Sequence, residues 1–222
     1  MLDAVVALKS LNQAKQRLAA VLGEEARQTL VEAMALDVLS SLLSCSVIDR
    51  VHVIYGAGWY EALQSSGEIT LWNEADLGTV GLNAALEAVA VQLNTPGLLF
   101  IHADLPLLKA ADIVAMVKVA QGEYPVISSD EAGIGTNALL RWQHQSFPLY
   151  FGENSYARHS QAALAHGMSL KQIASAGVSR DIDEPDDLRY LHEDVPGLGH
   201  HTARWCREHR NELPLTATQS PP

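Results

Sequence analysis

From residue 4 to residue 129, short apolar runs alternate with longer segments whose apolar residues recur at helical spacing. That alternation limits the chain to an α/β fold built on a sheet with helices packed against it. AVVAL (residues 4–8) reads as a buried strand, and from residue 24 to residue 43 Leu30, Met34, Val38 and Leu42 mark one face of a long helix. VHVIY follows as a strand, WYEALQSS as a short helix and ITLW as a third strand. GLNAALEAVAVQL, which opens with Gly81 and is rich in Ala and Leu, predicts a further helix. LLFIHAD (residues 98–104) has the unbroken apolar character of a central parallel strand and ends in a carboxylate. A helix over 110–120 and the strand PVISSD come next. The expected architecture is a predominantly parallel sheet with helices on both faces and ligands at the carboxyl ends of its strands.

The pattern decays after about Asp194, where VPGLGHHTARWCREHRNELPLTATQSPP is rich in Pro, Gly and charge. One catalytic domain over residues 1–194 and a partly disordered C-terminal tail over 195–222 are therefore expected. The chain has 222 residues, 48% of them hydrophobic, enough for one sizeable core. Cys45 lies in an apolar helix and Cys206 in the polar tail, so no structural disulfide is expected and a reducing cytoplasm fits. The N-terminus lacks the features of a signal peptide, and no stretch approaches the ~20 apolar residues of a membrane span. A formal net charge of -11 argues against nucleic acid as a partner, since such binding needs a basic surface.

An anionic ligand must then find a local cationic pocket. LKSLNQAKQRL, directly after the first strand, gathers Lys9, Lys15 and Arg17 in a chain otherwise poor in cations. No G-x-G-x-x-G stands there, which removes the main signal for dinucleotide binding. Two readings of the segment remain: a set of cations for a triphosphate, with Lys as point charge and Arg as bidentate fork, or a solvated loop and helix start. In HADLPLL, Asp104 ends the central strand and precedes Leu-Pro, which holds its backbone extended at the top of the sheet. It suits Mg²⁺, which takes one or two carboxylates and completes its shell with water and phosphate oxygens. The other role for Asp104, capping the helix over 107–120, could equally fall to Asp112.

RDIDEPDDL (residues 180–188) is a second acidic cluster. Asp181 and Asp183 are expected to point to opposite sides of an extended segment, leaving one of them to share a metal with Asp104. Pro185 with Asp186 and Asp187 reads as a helix start with acids near its positive end. SSDEAGIGTNALL (residues 128–140) is a loop or hairpin in which Gly133 and Gly135 permit tight backbone geometry beside Thr136 and Asn137. The tail residues His200, His201, Cys206 and His209 have no zinc-like spacing, and a solvated or partner-facing helix is expected there.

Taken in order, ALKSLNQAKQRLA, DLGTVGLNAAL, ADLPLL, AGIGTNALL, FGENSYARHSQAALAHG and DIDEPDDL make the chain resemble the 2-phospho-L-lactate guanylyltransferase family of deazaflavin coenzyme F-420 biosynthesis. The likeness covers nearly all of the chain except the tail. It implies a Rossmann-like GT-A nucleotidyltransferase fold with a mostly parallel sheet. It also implies a reaction in which GTP and a phosphorylated three-carbon acid give a guanosine diphospho-acid and pyrophosphate. The family's acids are 2-phospho-L-lactate, phosphoenolpyruvate and 3-phospho-D-glycerate, and its members imply a homodimer.

Carried over, the resemblance assigns the acid to Thr136, Gly152 and Ser155, with Gly135 and Asn137 shaping the cradle. His159, one helical turn after Ser155, either reaches the same anion or packs under the loop. Lys9, Lys15 and Arg17 are expected at the nucleotide. Asn83 and Gly81 are expected to read guanine, unless Asn83 is an ordinary helix cap. Asp104, Lys9 and Lys15 are the expected catalytic residues, and Asp104 with Asp181 or Asp183 the expected Mg²⁺ ligands. Ser10 stands where many relatives have Pro, and Ile134 where they have Thr, which leaves the identity of the acid open. Two rivals are kept: a nucleotidyltransferase of the same fold acting on a sugar phosphate or molybdopterin, and a catalytically silent nucleotide-binding module.

Overall fold

The computed structural model describes residues 2–13, 15–64, 67–145, 147–192 and 194–213. In chain order the strands and helices are β1 (Asp3–Leu8), α1 (Glu24–Leu43), β2 (Arg50–Tyr55), α2 (Tyr60–Gln64), β3 (Ile69–Asn73), α3 (Leu82–Ala90) and β4 (Gly97–Ile101). These are followed by α4 (Ala110–Ala120), β5 (Val126–Ser129), β6 (Thr136–Trp142), α5 (Ser155–Ala165), β7 (Lys171–Gln172), α6 (Ala176–Ser179) and α7 (His200–Glu208). The described residues form a seven-stranded sheet of order β3-β2-β1-β4-β6-β5-β7.

Both faces of the sheet are covered, which is why β4 and residues 4–8 of β1 are apolar at consecutive positions rather than at alternate ones. Ala4, Val6, Leu8, Leu99 and Ile101 point to the side where α1 and α4 pack. Val5, Leu98 and Phe100 point to the other side, against Leu86 and Val89 of α3 and Ala163 of α5. Side chains of one strand alternate between faces, so each strand feeds both cores.

The sheet is mostly parallel, as the alternation predicts. β1 pairs in parallel with β2 and β4, β2 with β3, and β5 with β7. The exception is β6, which runs antiparallel to both β4 and β5. The stretch of residues 128–140 is thus a hairpin, and the start of β6 lies at the same edge as the ends of β4 and β5. His102 N donates to Asn137 O at 2.9 Å and extends that pairing past the strand. Functional residues from three strands are thereby brought to one crevice.

The expected domain boundary at Asp194 does not separate the following segment from the core. Trp205 and Cys206 of α7 are buried with Leu30, Ala33 and Met34 of α1. Asp37 accepts from His201 N at 2.9 Å and Thr202 N at 2.8 Å, capping α7 with a side chain from α1. Trp205 Nε1 donates to Thr29 Oγ1 at 3.0 Å. The helix over 200–208 was expected to be solvated or to face a partner; its apolar side instead covers α1 of the same chain. Burial pushes the Cys206 thiol up to about 12, and residues 214–222, where disorder was expected, lie outside the described residues.

Candidate active site

A cavity of about 770 Å³ opens at the carboxyl ends of β1 and β4. That volume falls in the range of small-molecule sites. Lys9, Lys15 and Arg17 line it, as do Asp104, Asp181 and Asp183, and the hairpin and the FGENS turn contribute Gly135, Thr136, Asn137, Gly152 and Ser155. Most of the residues singled out from the sequence therefore converge, although they span the chain from residue 9 to residue 183.

The cationic segment after β1 is not a free solvated loop. Lys15, with backbone φ 49°, sends its ammonium between two carboxylates, bonding Asp104 Oδ2 and, at 3.1 Å, Asp183 Oδ1. Burial alone would lower the Lys15 pKa, but Asp104 and then Asp183 raise it above the usual lysine value. Burial likewise works to raise Asp104; the Lys15 charge, followed by His102, outweighs it and holds the carboxyl below its ordinary range. Arg17 donates to Asp183 Oδ2 at 2.8 Å and to Glu184 Oε1 at 2.7 Å on the rim of the cavity. Lys9 is exposed at the end of β1, its carbonyl accepting from Trp59 Nε1 at 2.7 Å.

Asp181 and Asp183 both line the cavity, contrary to the expectation that they diverge. Residues two apart on an extended segment share a face, and it is the intervening Ile182 that turns inward, 1% exposed. Asn137 Nδ2 donates to Asp181 Oδ1 at 3.1 Å. Burial, and then the neighbouring Asp104 charge, push the Asp181 carboxyl up to about 6. Asp187 plays the structural part expected of it, accepting from Asp183 N and Glu184 N at 2.9 and 2.8 Å. Asp112, not Asp104, serves α4, accepting from Lys109 N at 3.0 Å.

Among the described residues no three acidic, histidine or cysteine side chains already form a metal cage. The carboxylates nevertheless fit a divalent cation. Among the described residues Asp104 Oδ1 is buried without a hydrogen-bond partner, and the Asp181 and Asp183 carboxylates line the same cavity. An ion that takes few protein ligands and fills its shell with water and phosphate oxygens matches that donor set.

Asp130, which the sequence reading passed over, builds the glycine loop. Its two carboxylate oxygens accept from Ile134 N at 2.8 Å and Gly135 N at 2.9 Å. A side chain on Gly135 would place its Cβ 2.8 Å from Asp130 Oδ2, so any other residue there would displace that carboxylate from its two backbone donors. An Asp at a strand end, just ahead of Gly-x-Gly, is the signal that could have found it. Ile134 stands 54% exposed in the cavity wall, and its carbonyl accepts from Tyr156 N at 3.0 Å, clipping the loop to α5. Gly152 has φ 121° with open space where a Cβ would point, leaving its backbone unscreened.

Asn83, expected to read guanine unless it caps the helix, is tied to the scaffold and is not among the residues that line the cavity. Its Nδ2 donates to Phe151 O at 2.9 Å and its Oδ1 accepts from Phe151 N at 2.7 Å, so its amide clamps that segment. Glu87, one turn further along α3 on the same face, binds Leu149 N at 3.1 Å and Arg141 Nη2 at 2.6 Å. Together they fix the irregular segment that delivers Gly152 and Ser155. Gly81 sits exposed at the start of α3, next to the cavity-lining Leu82. Asn83→Ala should therefore lower stability by about 1–3 kcal/mol, as two buried backbone groups lose partners. Denaturant unfolding together with a GTP KM that barely moves would verify this; a GTP-specific KM defect at unchanged stability would restore the base-reading role.

His159 is 0% exposed and packs under the loop, the second of its two expected placements. His102 was not singled out from the sequence, yet it lines the cavity with its ring 5.4 Å from that of Phe151. Burial lowers its pKa below the ordinary histidine value. Its position just past the end of β4 was the available clue.

The sheet order, with the crevice at the carboxyl ends of its strands, is the GT-A-like fold of the nucleotidyltransferases. A Desulfovibrio desulfuricans G20 protein assigned to the nucleotide-diphospho-sugar transferases superposes with a TM-score of 0.77 at 15% identity, covering 96% of this chain and 97% of its own. Residues 2–218 match the family described as guanylyl transferase CofC like, and the chain belongs to that family. It is 38% identical over 192 residues to the phosphoenolpyruvate guanylyltransferase of Rubrobacter xylanophilus, covering 85% of this chain and 92% of the relative. The 3-phospho-D-glycerate guanylyltransferase of Phenylobacterium zucineum is 31% identical over 193 residues, with 84% and 88% covered. Among the described residues no helix is long and apolar enough to cross a membrane.

Proposed function

We propose that this guanylyltransferase joins the GMP moiety of GTP to a phosphorylated three-carbon acid, releasing pyrophosphate, as a step of coenzyme F-420 biosynthesis. The observation that carries the reading is the meeting, in one cavity, of the Lys15–Asp104–Asp183 cluster with the Thr136, Gly152 and Ser155 loops. Phosphoenolpyruvate is the acid we favour, because the relative at 38% identity carries that substrate in its name and because a compact acid suits the short turn before α5. 2-Phospho-L-lactate has the same spacing of phosphate and carboxylate; 3-phospho-D-glycerate, named in a second relative, is one carbon longer.

The chemistry needs little from the protein beyond position and charge. A phosphate monoester with a second pKa near ~6 is mostly dianionic at neutral pH, so it needs no general base. Its oxygen forms a bond to the α-phosphorus of GTP as the bond from that phosphorus to the β-phosphate bridging oxygen breaks, and pyrophosphate carries the electron pair away. Lys9 and Lys15 oppose the charge of the triphosphate and of the leaving group. Asp104, Asp181 and Asp183 would hold Mg²⁺, which when bound neutralises phosphate oxygens and orients them. Ser155 N and Tyr156 N already donate to Gly152 O and Ile134 O, so the Ser155 and Thr136 hydroxyls and the Gly152 backbone are left to meet the acid.

Pyrophosphate release with Mg²⁺, a panel of nucleoside triphosphates and the three acids tests the proposal. GTP with phosphoenolpyruvate should give the highest kcat/KM. Turnover only with a sugar phosphate, or with none of the acids, would overturn it. Ser155→Ala and Thr136→Val should each raise the acid's KM by a factor equivalent to about 1–3 kcal/mol while GTP's KM changes little. Equal losses for both substrates would remove the cradle from these residues.

A further inference from the structure

We propose that His159 is a positioning residue that fixes the Thr136 hydroxyl as a one-way donor into the cavity. The Tyr150 backbone N–H donates to His159 Nε2 at 2.8 Å, and a backbone N–H can only donate. Nε2 is therefore an acceptor. The other ring nitrogen, Nδ1, lies 3.0 Å from Thr136 Oγ1. If threonine donated there, both ring nitrogens would be acceptors and the ring would be an imidazolate. A neutral ring leaves Nδ1 as the protonated nitrogen, 3.0 Å from the threonine oxygen and also facing the Ser155 carbonyl one turn earlier, so threonine cannot donate to it and its oxygen is placed to accept.

The surroundings keep the ring in that state. His159 is fully buried, with the Phe151 ring packed edge-on at 5.0 Å. Burial, followed by the Arg141 and Arg158 charges, lowers its pKa to about 4, so it stays neutral near pH 7. Thr136 is only 1% exposed, and among the described residues its hydroxyl has no second partner. With its oxygen already accepting from His159, its proton is left for whatever enters the cavity that Thr136 borders. The site is thereby set for an acceptor, such as an ionised phosphate or carboxylate oxygen, and against a ligand that presents only a donor. His159 is not among the residues that line the cavity, and the cavity-lining side chain it bonds is that of Thr136. This deepens the proposed function and rests on it only in taking that acceptor to be the phospho-acid.

The test has two arms. Long-range proton–nitrogen NMR of the ligand-free wild-type protein near pH 7 should show the His159 ring protonated at Nδ1 and bare at Nε2; the Nε2-protonated tautomer or an imidazolium would overturn the inference. In kinetics, His159→Phe should raise the acid's KM roughly ten-fold or more, the cost of a misdirected hydrogen bond, with GTP's KM nearly unchanged. Placed on a Thr136→Val background, the same substitution should add almost nothing. Additive effects would assign His159 a packing role and overturn the proposal. Should His159→Phe fail to fold, the wild-type tautomer still decides. Absence of guanylyl transfer by the wild-type protein would overturn the proposed function, and the acid's part in this inference with it, whereas the wrong tautomer overturns the inference alone.

Discussion

Asp104→Asn is expected to fold normally and to lose guanylyl transfer by roughly a hundred-fold or more. The two side chains are nearly isosteric, and the backbone contact that anchors this turn, Ile182 N to Asp104 O at 3.2 Å, does not involve the carboxylate. What disappears is charge. Among the described residues Asp104 Oδ1 is buried with no hydrogen-bond partner, and Oδ2 holds the Lys15 ammonium. The substitution removes both the proposed ligand for a divalent cation and the counter-charge that fixes Lys15 over the cavity. A thermal melt near that of the wild type combined with a collapsed kcat is the predicted pair of measurements. A folded variant with near-normal turnover would take Asp104 out of the catalytic machinery.

The second large effect separates two geometries of the DIDEP segment. If Asp181 and Asp183 diverged, only one substitution would matter. Both line the cavity, so Asp181→Asn and Asp183→Asn should each lower kcat on the order of 10²-fold and raise the Mg²⁺ concentration needed for half-maximal rate. Their side effects should differ. Asp183→Asn also weakens the grip on Lys15 and Arg17, so GTP's KM should rise with it. Asp181→Asn disturbs its bond from Asn137 and leaves the Lys15 and Arg17 ion pairs in place, so GTP's KM should hold. A harmless Asp181→Asn beside a damaging Asp183→Asn would return the segment to a single functional acid.

Much of this protein was legible before its structure, for a definite reason. Strands and helices are written in local periodicity, and the 20-residue α1 coincides with the segment over which Leu30, Met34, Val38 and Leu42 recur. Asp104 was expected to end the central strand; β4 stops at Ile101 and Asp104 stands in the loop that follows, still at the carboxyl edge of the sheet where the cavity opens. The Gly-x-Gly-Thr-Asn and F-G-x-x-S motifs were readable as a pair, since their residue types together suit an anion cradle. Their separation in sequence says nothing about who touches whom.

Tertiary structure decided the partners. The glycines of residues 128–140 left a loop and a hairpin both open, and it is the hairpin, with β6 reversed, that puts Thr136 and Asn137 at the edge where β4 ends. Asn83 carried the same signature as a base-reading amide or a helix cap, and its actual partner lies 68 residues away in Phe151. The α7 segment looked like a polar tail because only one side of it is apolar, and its packing surface belongs to α1. The sequence by itself determined the order of elements, the two-faced sheet, the family and the residue types of the site. The fold determined which polar groups are consumed by the scaffold, as Asn83 and His159 are, and which are left facing the cavity, as Thr136 is. A hydrogen bond depends on the position and direction of two groups, and for groups far apart in the chain those are set only when the chain has packed.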